Sequence, residues 1–119
     1  MKTISVISIP VKDQQKAKEF YLLMGFELIM ETPFDKGQYW IQLGLPGGGP
    51  TITLVTWFDK MPAGSLQGIL IETEDILKDI EHLKGKGIET GALDETPWGK
   101  FASIKDLDGN SWSLHQKTL

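Results

Sequence analysis

Residues 106–116 read DLDGNSWSLHQ and gather two aspartates, an asparagine, two serines and a histidine within eleven positions. That is enough oxygen and nitrogen to hold a cation, to wall a polar pocket, or only to turn a hairpin. As a calcium loop the stretch fails. Glycine falls at its fourth position where the sixth must make the sharp turn, and the twelfth is Lys117 where a bidentate glutamate is needed. Asp108, Gly109 and Asn110 carry turn chemistry instead, since glycine and asparagine tolerate positive φ. In the strand that follows, alternation sends Ser113 and His115 to one face and Trp112 and Leu114 to the other. His115 is therefore a candidate general base or ligand-orienting donor, with a merely solvent-exposed side chain as the alternative. Glu72 is the second candidate. A carboxylate among Trp and Phe rings would have its ionised form desolvated and its pKa raised, suiting proton transfer or pairing with a cationic ligand; a rim glutamate in water is the alternative. His82, between Glu81 and Leu83 in a helical stretch, is read as surface or core edge.

The elements that position these residues come as a repeat. Sliding VISIPVKDQQKAKEFYLLMGFELI onto GILIETEDILKDIEHLKGKGIETG, a shift of 62 residues, places Ile7 on Ile69, Ile9 on Ile71, Asp13 on Asp75, Glu19 on Glu81, Gly25 on Gly87 and Glu27 on Glu89. The physical pattern repeats with the identities: an alternating apolar run, an acidic helix start, a helical stretch, a glycine, and another alternating run. Asp13 is placed to cap a helix whose buried side is Ala17, Phe20, Tyr21 and Met24 at three-to-four spacing, and Gly25 and Gly87 suit the left-handed position that ends one. The runs GFELIMET, GQYWIQLGL and TITLVTWF complete the first copy; GIETG, KFASIKD and SWSLHQ complete the second. This predicts an α+β fold of two tandem βαβββ units: unit one over about residues 4–58, a linker over about 59–65, unit two over about 66–116, all one domain.

Alternation assigns the faces. Ile41, Leu43, Ile52, Leu54, Ile69, Ile71, Ala102, Ile104, Trp112 and Leu114 belong under the helices as core. Ser8, Trp40, Gln42, Thr51, Thr53, Val55, Leu70, Glu72, Phe101, Ser103, Ser113 and His115 share the other face, a mixed polar and aromatic set that fits a ligand cavity or a solvated outer sheet face. Trp40 and Trp57 are expected to line such a cavity, offering stacking and cation-π contact to planar or cationic molecules. The turn PGGGP lacks both the Walker spacing and a following helix, and is expected at the cavity rim, where it could gate access.

Composition narrows the classes. The 119 residues contain no cysteine, which excludes disulfides, thiolate metal sites and a cysteine nucleophile. The net charge is -4 and every basic residue is a lysine, so the arginine forks that favour phosphate and base edges are missing and nucleic acid is not expected as a partner. No apolar run approaches the ~20 residues of a membrane span, and the N-terminus reads as strand rather than signal, so a cytoplasmic location without membrane contact is expected.

With its duplicated unit and its final block PWGKFASIKDLDGNSWSLHQ, the chain resembles the vicinal oxygen chelate superfamily, the group of glyoxalase I, bleomycin-resistance proteins and extradiol dioxygenases. The resemblance runs through VKDQQKAKEFY, GFEL, LKGKGIE and WGKFASIKDLDGNSW; where the family usually has Asp-Pro-Asp-Gly-Asn, this chain has Leu107 in place of the proline. It implies two units curled into a cup by a curved mixed sheet, and in metal-dependent members four ligands inside it. Those positions fall on Val6, Thr53, Gly68 and Ser113. A valine, a glycine and two neutral hydroxyls make no site for a divalent ion, so no metal and no cofactor is expected. A ligand set of Glu72 with His115 is the remaining metal alternative. The resemblance also implies a homodimer, for which Trp57, Phe58 and Met61 form a suitable apolar patch. Two functions follow from it: metal-independent binding of a small aromatic or cationic ligand at Ser8, Trp40, Gln42, Thr53, Trp57, Glu72, Phe101, Ser103, Ser113 and His115, or a lyase, isomerase or dioxygenase using Glu72 or His115.

Overall fold

The structure, a computed structural model, describes residues 1–118. The first unit runs β1 (Val6–Pro10), α1 (Gln14–Met24), β2 (Glu27–Pro33), β3 (Tyr39–Gly44) and β4 (Thr51–Val55). The second runs β5 (Ile69–Glu72), α2 (Ile76–Gly85), β6 (Asp94–Thr96), β7 (Gly99–Lys105) and β8 (Ser111–Lys117). Each unit makes its own four-stranded mixed sheet, ordered β1-β4-β3-β2 and β5-β8-β7-β6, with the first strand parallel to the last and the rest antiparallel. The α+β fold of two tandem βαβββ units is thus present, as two sheets.

Local chemistry sets the helices. The carboxylate of Asp13 accepts from the amides of Gln15 and Lys16 at 3.1 Å each, and that of Asp75 accepts from Lys78 at 3.1 Å. Gly25, at φ 123°, ends α1 and donates to the carbonyls of Tyr21 and Leu22. Between these ends α1 buries Ala17, Phe20, Tyr21 and Met24, as the spacing predicts, together with Gln14. Gln14 earns its burial by donating to the carbonyls of Tyr39 and Leu54 and accepting from the Tyr39 amide, which ties the helix start to β3 and β4.

One expected strand does not form. GIETG contributes a single bridge, Thr90 to Ile104, and the outer strand resumes only at β6. From Thr90 to Asp94 is four residues, whereas their partners Ile104 and Phe101 are three apart, so one extra residue bulges out. The break falls at Gly91, whose missing side chain lets the chain lie against Ser103; a Cβ there would strike the Ser103 hydroxyl.

The helix-facing residues of both sheets join in one core. Ile41, Leu43, Ile52, Leu54, Ala102, Ile104, Trp112 and Leu114 are buried in it, while Ile69 and Ile71, expected there too, are half-buried at its border because β5 is an edge strand. At its centre Tyr21 meets Phe20, Phe26 and Trp112 edge-on at 5.4–5.7 Å between ring centroids, each such pair worth about 0.5–1.5 kcal/mol beyond its burial.

What bolts one unit to the other is the segment first suspected of metal binding. Asp106 is buried and accepts from the Tyr21 hydroxyl at 2.6 Å, from the amides of Asp108 and Asn110 at 2.9 Å, and from Asn110 Nδ2 at 2.8 Å. Asn110, fully buried, also donates to the Pro10 carbonyl at 2.8 Å and accepts from the Leu66 amide at 3.0 Å. Trp112 Nε1 completes the cluster by donating to the Tyr21 oxygen at 3.0 Å. Burial first, and then the bond to Asp106, push the Tyr21 hydroxyl's pKa far above its ordinary value. The linker is pinned to the same place: Gly64, at φ 84°, donates to the Pro10 carbonyl, and a Cβ there would run into the Asp108 carbonyl. Burial raises the Asp108 carboxyl above its usual range, against the opposing bond from the Lys12 amide. Replacing Asn110 by alanine leaves the Leu66 amide without its partner, removes one donor from the Asp106 carboxylate, and leaves the Pro10 carbonyl only the longer bond from Gly64. Asn110→Ala should therefore cost about 2–4 kcal/mol in denaturant unfolding, whereas Leu107→Ala, at the exposed tip of the same turn, should cost about 0.5 kcal/mol or less.

Candidate ligand-binding faces of the two sheets

Because the helix sides of the two sheets share a core, the opposite face of each sheet is left without a helix or second sheet of this chain. Strand register shows what those faces carry. In the first unit Ser8 pairs with Thr53 across β1 and β4, Thr53 with Gln42 across β4 and β3, and Thr32 with Trp40 across β2 and β3. In the second, Leu70 pairs with Ser113, Glu72 with His115, Ser113 with Ser103, and His115 with Phe101. The two faces are therefore equivalent position by position: Trp40 corresponds to Phe101, Gln42 to Ser103 and Thr53 to Ser113. Each face carries an aromatic ring and a hydroxyl at matching places.

The first face is built around a polar ladder and a chain of rings. Trp40 Nε1 donates to Gln42 Oε1 at 3.1 Å, Gln42 Nε2 to Thr51 Oγ1 at 2.9 Å, and Thr51 Oγ1 to the Ser5 carbonyl at 3.1 Å. Phe34 lies 6.4 Å from Trp40 and 5.0 Å from Trp57, which reaches Phe58 at 6.3 Å. Phe34 belongs to this cluster and was not singled out in the sequence; it follows Pro33 in the β2–β3 connection, where no strand or helix period applies. Thr53 and Val55 are buried on this face, whereas Ser8, Trp40, Gln42 and Trp57 are half-buried.

The second face is more open. His115 stacks on Phe101 with ring centroids 4.5 Å apart and planes 9° from parallel, and its Nε2 lies 3.3 Å from the Trp98 carbonyl. Phe101, Ser113 and His115 are half-buried; Ser103 and Glu72 are exposed, as is Leu70 at 51%. Ser113 Oγ turns to its neighbour's carbonyl, that of Leu114, at 3.3 Å. Of the two environments expected for Glu72 the structure shows the solvated one: Lys117 Nζ lies 2.8 Å away in solvent, and hydrogen bonding to that ammonium holds the carboxyl below its ordinary range instead of above it.

A further space lies elsewhere. An open crevice of about 940 Å³ runs between the units on the helix side, past Ile7, Ile52, Ile69, Ile71, Met24 and Leu83. Of the expected site residues only Glu72 borders it. The PGGGP loop, expected at a cup rim, joins β3 to β4 and lines this crevice through residues 47–50. Its aromatic walls, Phe26 and Trp112, are buried and packed against Tyr21 and each other in edge-to-face pairs. His82 stands exposed at its border.

Two βαβββ units in tandem, each holding its helix against one side of a mixed sheet and leaving the other open, define a duplicated-unit scaffold. The chain belongs to the Glyoxalase/Bleomycin resistance protein/Dioxygenase superfamily, whose family model matches residues 3–114. It is 38% identical to TnmS3, an antibiotic binding protein from Streptomyces sp. CB03234, whose crystal structure aligns over 99% of this chain and 98% of that one with a TM-score of 0.93. A glyoxalase/bleomycin resistance protein from the same strain is 39% identical over 96% of this chain and 100% of its own, with a TM-score of 0.86. The protein YetH of Bacillus subtilis (strain 168) is 35% identical over 121 residues, which cover 98% of this chain and 99% of that one.

The positions onto which the resemblance carries the family's metal ligands are Val6 in β1, Thr53 in β4, Gly68 just before β5, and Ser113 in β8. Two of these side chains have no donor atom and the other two are neutral hydroxyls, so the donor set does not fit a divalent cation. Among the described residues no three His, Asp or Glu side chains gather at one point. Among them, too, no helix is long and apolar enough to cross a membrane.

The ionisation of Glu72 can be checked directly. Its lowered folded-state pKa means that the pair's small stabilisation is present above the unfolded glutamate value and is lost as pH falls through the folded one. Side-chain carboxyl NMR should give Glu72 a titration midpoint below that of an ordinary glutamate, and Lys117→Met should return it to the usual range. Because the pair is fully solvated, the same substitution should leave the thermal midpoint in physiological salt unchanged.

Proposed function

We propose that the chain is a metal-independent binding protein that holds a small planar aromatic or cationic molecule, of the kind represented by antibiotics, against the open faces of its sheets and so sequesters it. The observation that carries this reading is the matched provision on the two faces: Trp40 with Phe34 and Trp57 on one, Phe101 stacked with His115 on the other, with hydroxyls at equivalent positions beside them. Ring faces at a half-buried surface supply stacking area at little entropic cost, and neutral hydroxyls orient a ligand without demanding a counter-charge. TnmS3, an antibiotic binding protein similar to this chain over nearly its whole length, supports the same direction. The two residues weighed for catalysis give chemistry less support: Glu72 is held ionised by Lys117, and His115 is stacked on Phe101.

The complete site is assigned to a homodimer. Within one chain the two faces point away from each other, because their backs share the core; a second copy related by a two-fold axis brings the first-unit face of one protomer opposite the second-unit face of the other. Exposed Phe58 beside Trp57 and Met61, together with exposed Leu70, supplies apolar surface for such a contact. Light scattering at tens of micromolar should give twice the chain mass, and a monomer there would sink the assignment.

Binding itself is tested by thermal shift against planar aromatic antibiotics, glycopeptide antibiotics and divalent metals. Stabilisation by an aromatic compound, unchanged by chelator and weakened at least tenfold in affinity by Trp40→Ala or Phe101→Ala, is the expected result. A shift seen only with Ni, Zn, Mn or Fe, with turnover of a glutathione conjugate, would replace the reading with an enzymatic one.

A further inference from the structure

We infer that Thr53 is the polar anchor of the ligand site, and that the chemistry it selects is a neutral oxygen, a ring carbonyl or phenolic hydroxyl, on a planar aromatic ligand. The inference deepens the binding reading above and rests on it. Thr53 lies in the middle of β4 on the open face and is only 1% exposed. Among the described residues its Oγ1 is the one buried side-chain oxygen or nitrogen without a hydrogen-bond partner. The groups around it are occupied with one another. Gln42, its register partner on β3, accepts from Trp40 and donates to Thr51, and Thr51 donates onward to Ser5, so the ladder passes Thr53 by. Ser8, its partner on β1, makes no hydrogen bond to it.

A buried hydroxyl left in this state costs roughly 1–3 kcal/mol of folding free energy, and valine has the same shape without that cost. On its own face the nearest polar side chains, Ser8, Gln42 and Thr51, make no bond to it, so no internal partner accounts for a hydroxyl here. Its use lies in what it can meet. The residues paired with and flanking it on this face, Ser8, Gln42, Thr51 and Val55, carry no charge. An ionic group brought to the same depth would be desolvated without compensation, whereas a carbonyl or phenol oxygen pairs with a hydroxyl at no such cost. No helix or second sheet of this chain covers this face. On the same face the rings of Trp40, Phe34 and Trp57 contact one another and can exchange those contacts for a ligand's ring.

The test pairs two planar three-ring probes, fluorenone and fluorene, which differ by a carbonyl, with the variants Thr53→Val and Thr53→Ser. Without ligand, Thr53→Val should unfold at the same or higher denaturant concentration than the wild type; a lower midpoint would mean that the hydroxyl is already satisfied, and would overturn the anchor. With ligand, tryptophan quenching should show the wild type and Thr53→Ser binding fluorenone roughly five- to tenfold more tightly than fluorene. In Thr53→Val the preference should vanish through loss of fluorenone affinity, with fluorene unchanged. If Thr53→Val keeps the preference, the anchor is wrong while the aromatic site stands. If neither compound binds the wild type, the aromatic site itself falls and the anchor with it.

Discussion

The structure depends on one buried carboxylate. Asp106 collects the Tyr21 hydroxyl of the first unit, the Asn110 amide group, and two backbone amides of its own turn, and Asn110 in turn holds the Pro10 carbonyl and the Leu66 amide. A carboxylate in an apolar core is costly unless every lone pair is used, and here four donors use them. The same cluster touches β1, α1, the linker and the turn before β8. Because a hydrogen-bonded group this deep tolerates neither slippage nor an alternative partner, it fixes how the second unit sits on the first. The aromatic contacts of Tyr21 with Phe20, Phe26 and Trp112 then add non-directional burial around an orientation already set.

That orientation decides where function can reside. With α1 drawn against Trp112, the helix sides of both sheets close on each other, and the residues expected to line a cup are turned outward on two faces that do not meet within the chain. The crevice that remains between the units is lined by the border of the common core, and its rings are spent on packing; it has the volume of a ligand pocket without the exposed ring faces. Volume alone is thus a poor guide here, and the placement of ring faces and unpaired polar atoms is a better one.

Much of this was legible in the residues. The shift of 62 gave the duplicated unit, the caps at Asp13 and Asp75 gave both helix starts, and period-two alternation sorted the faces, since those signals are local and each is tied to a repeating geometry. The outer strand of the second unit was not legible, because the bulge near Gly91 depends on contact with Ser103 from a distant strand. Asp106 and Asn110 were readable only as turn formers: their partners Tyr21 and Pro10 lie 85 and 100 residues away, and nothing local signals such a bond. The two readings of Glu72, desolvated or at a rim in water, could not be separated for the related reason that Lys117, which neutralises it, comes from the strand beside it. The signal was there in principle, because parallel pairing of β5 with β8 brings the end of the chain alongside Glu72.

The duplication also sets a hydroxyl at the same place on each of the two faces. Register makes Thr53 and Ser113 equivalent, since each pairs with the matching residue of its unit's first strand, Ser8 and Leu70. The two hydroxyls have nevertheless diverged. Ser113, half-buried, turns its oxygen to the Leu114 carbonyl, whereas Thr53, buried, has no partner among the described residues. A branched side chain in the middle of a sheet has restricted rotamers, so a threonine's hydroxyl is aimed by its methyl group, which takes up the apolar contacts. Serine has no such constraint and relaxes onto the backbone. Of two equivalent positions, then, the one held rigid and unsatisfied is the one able to discriminate between ligands, because its hydrogen bond has no internal competitor to displace.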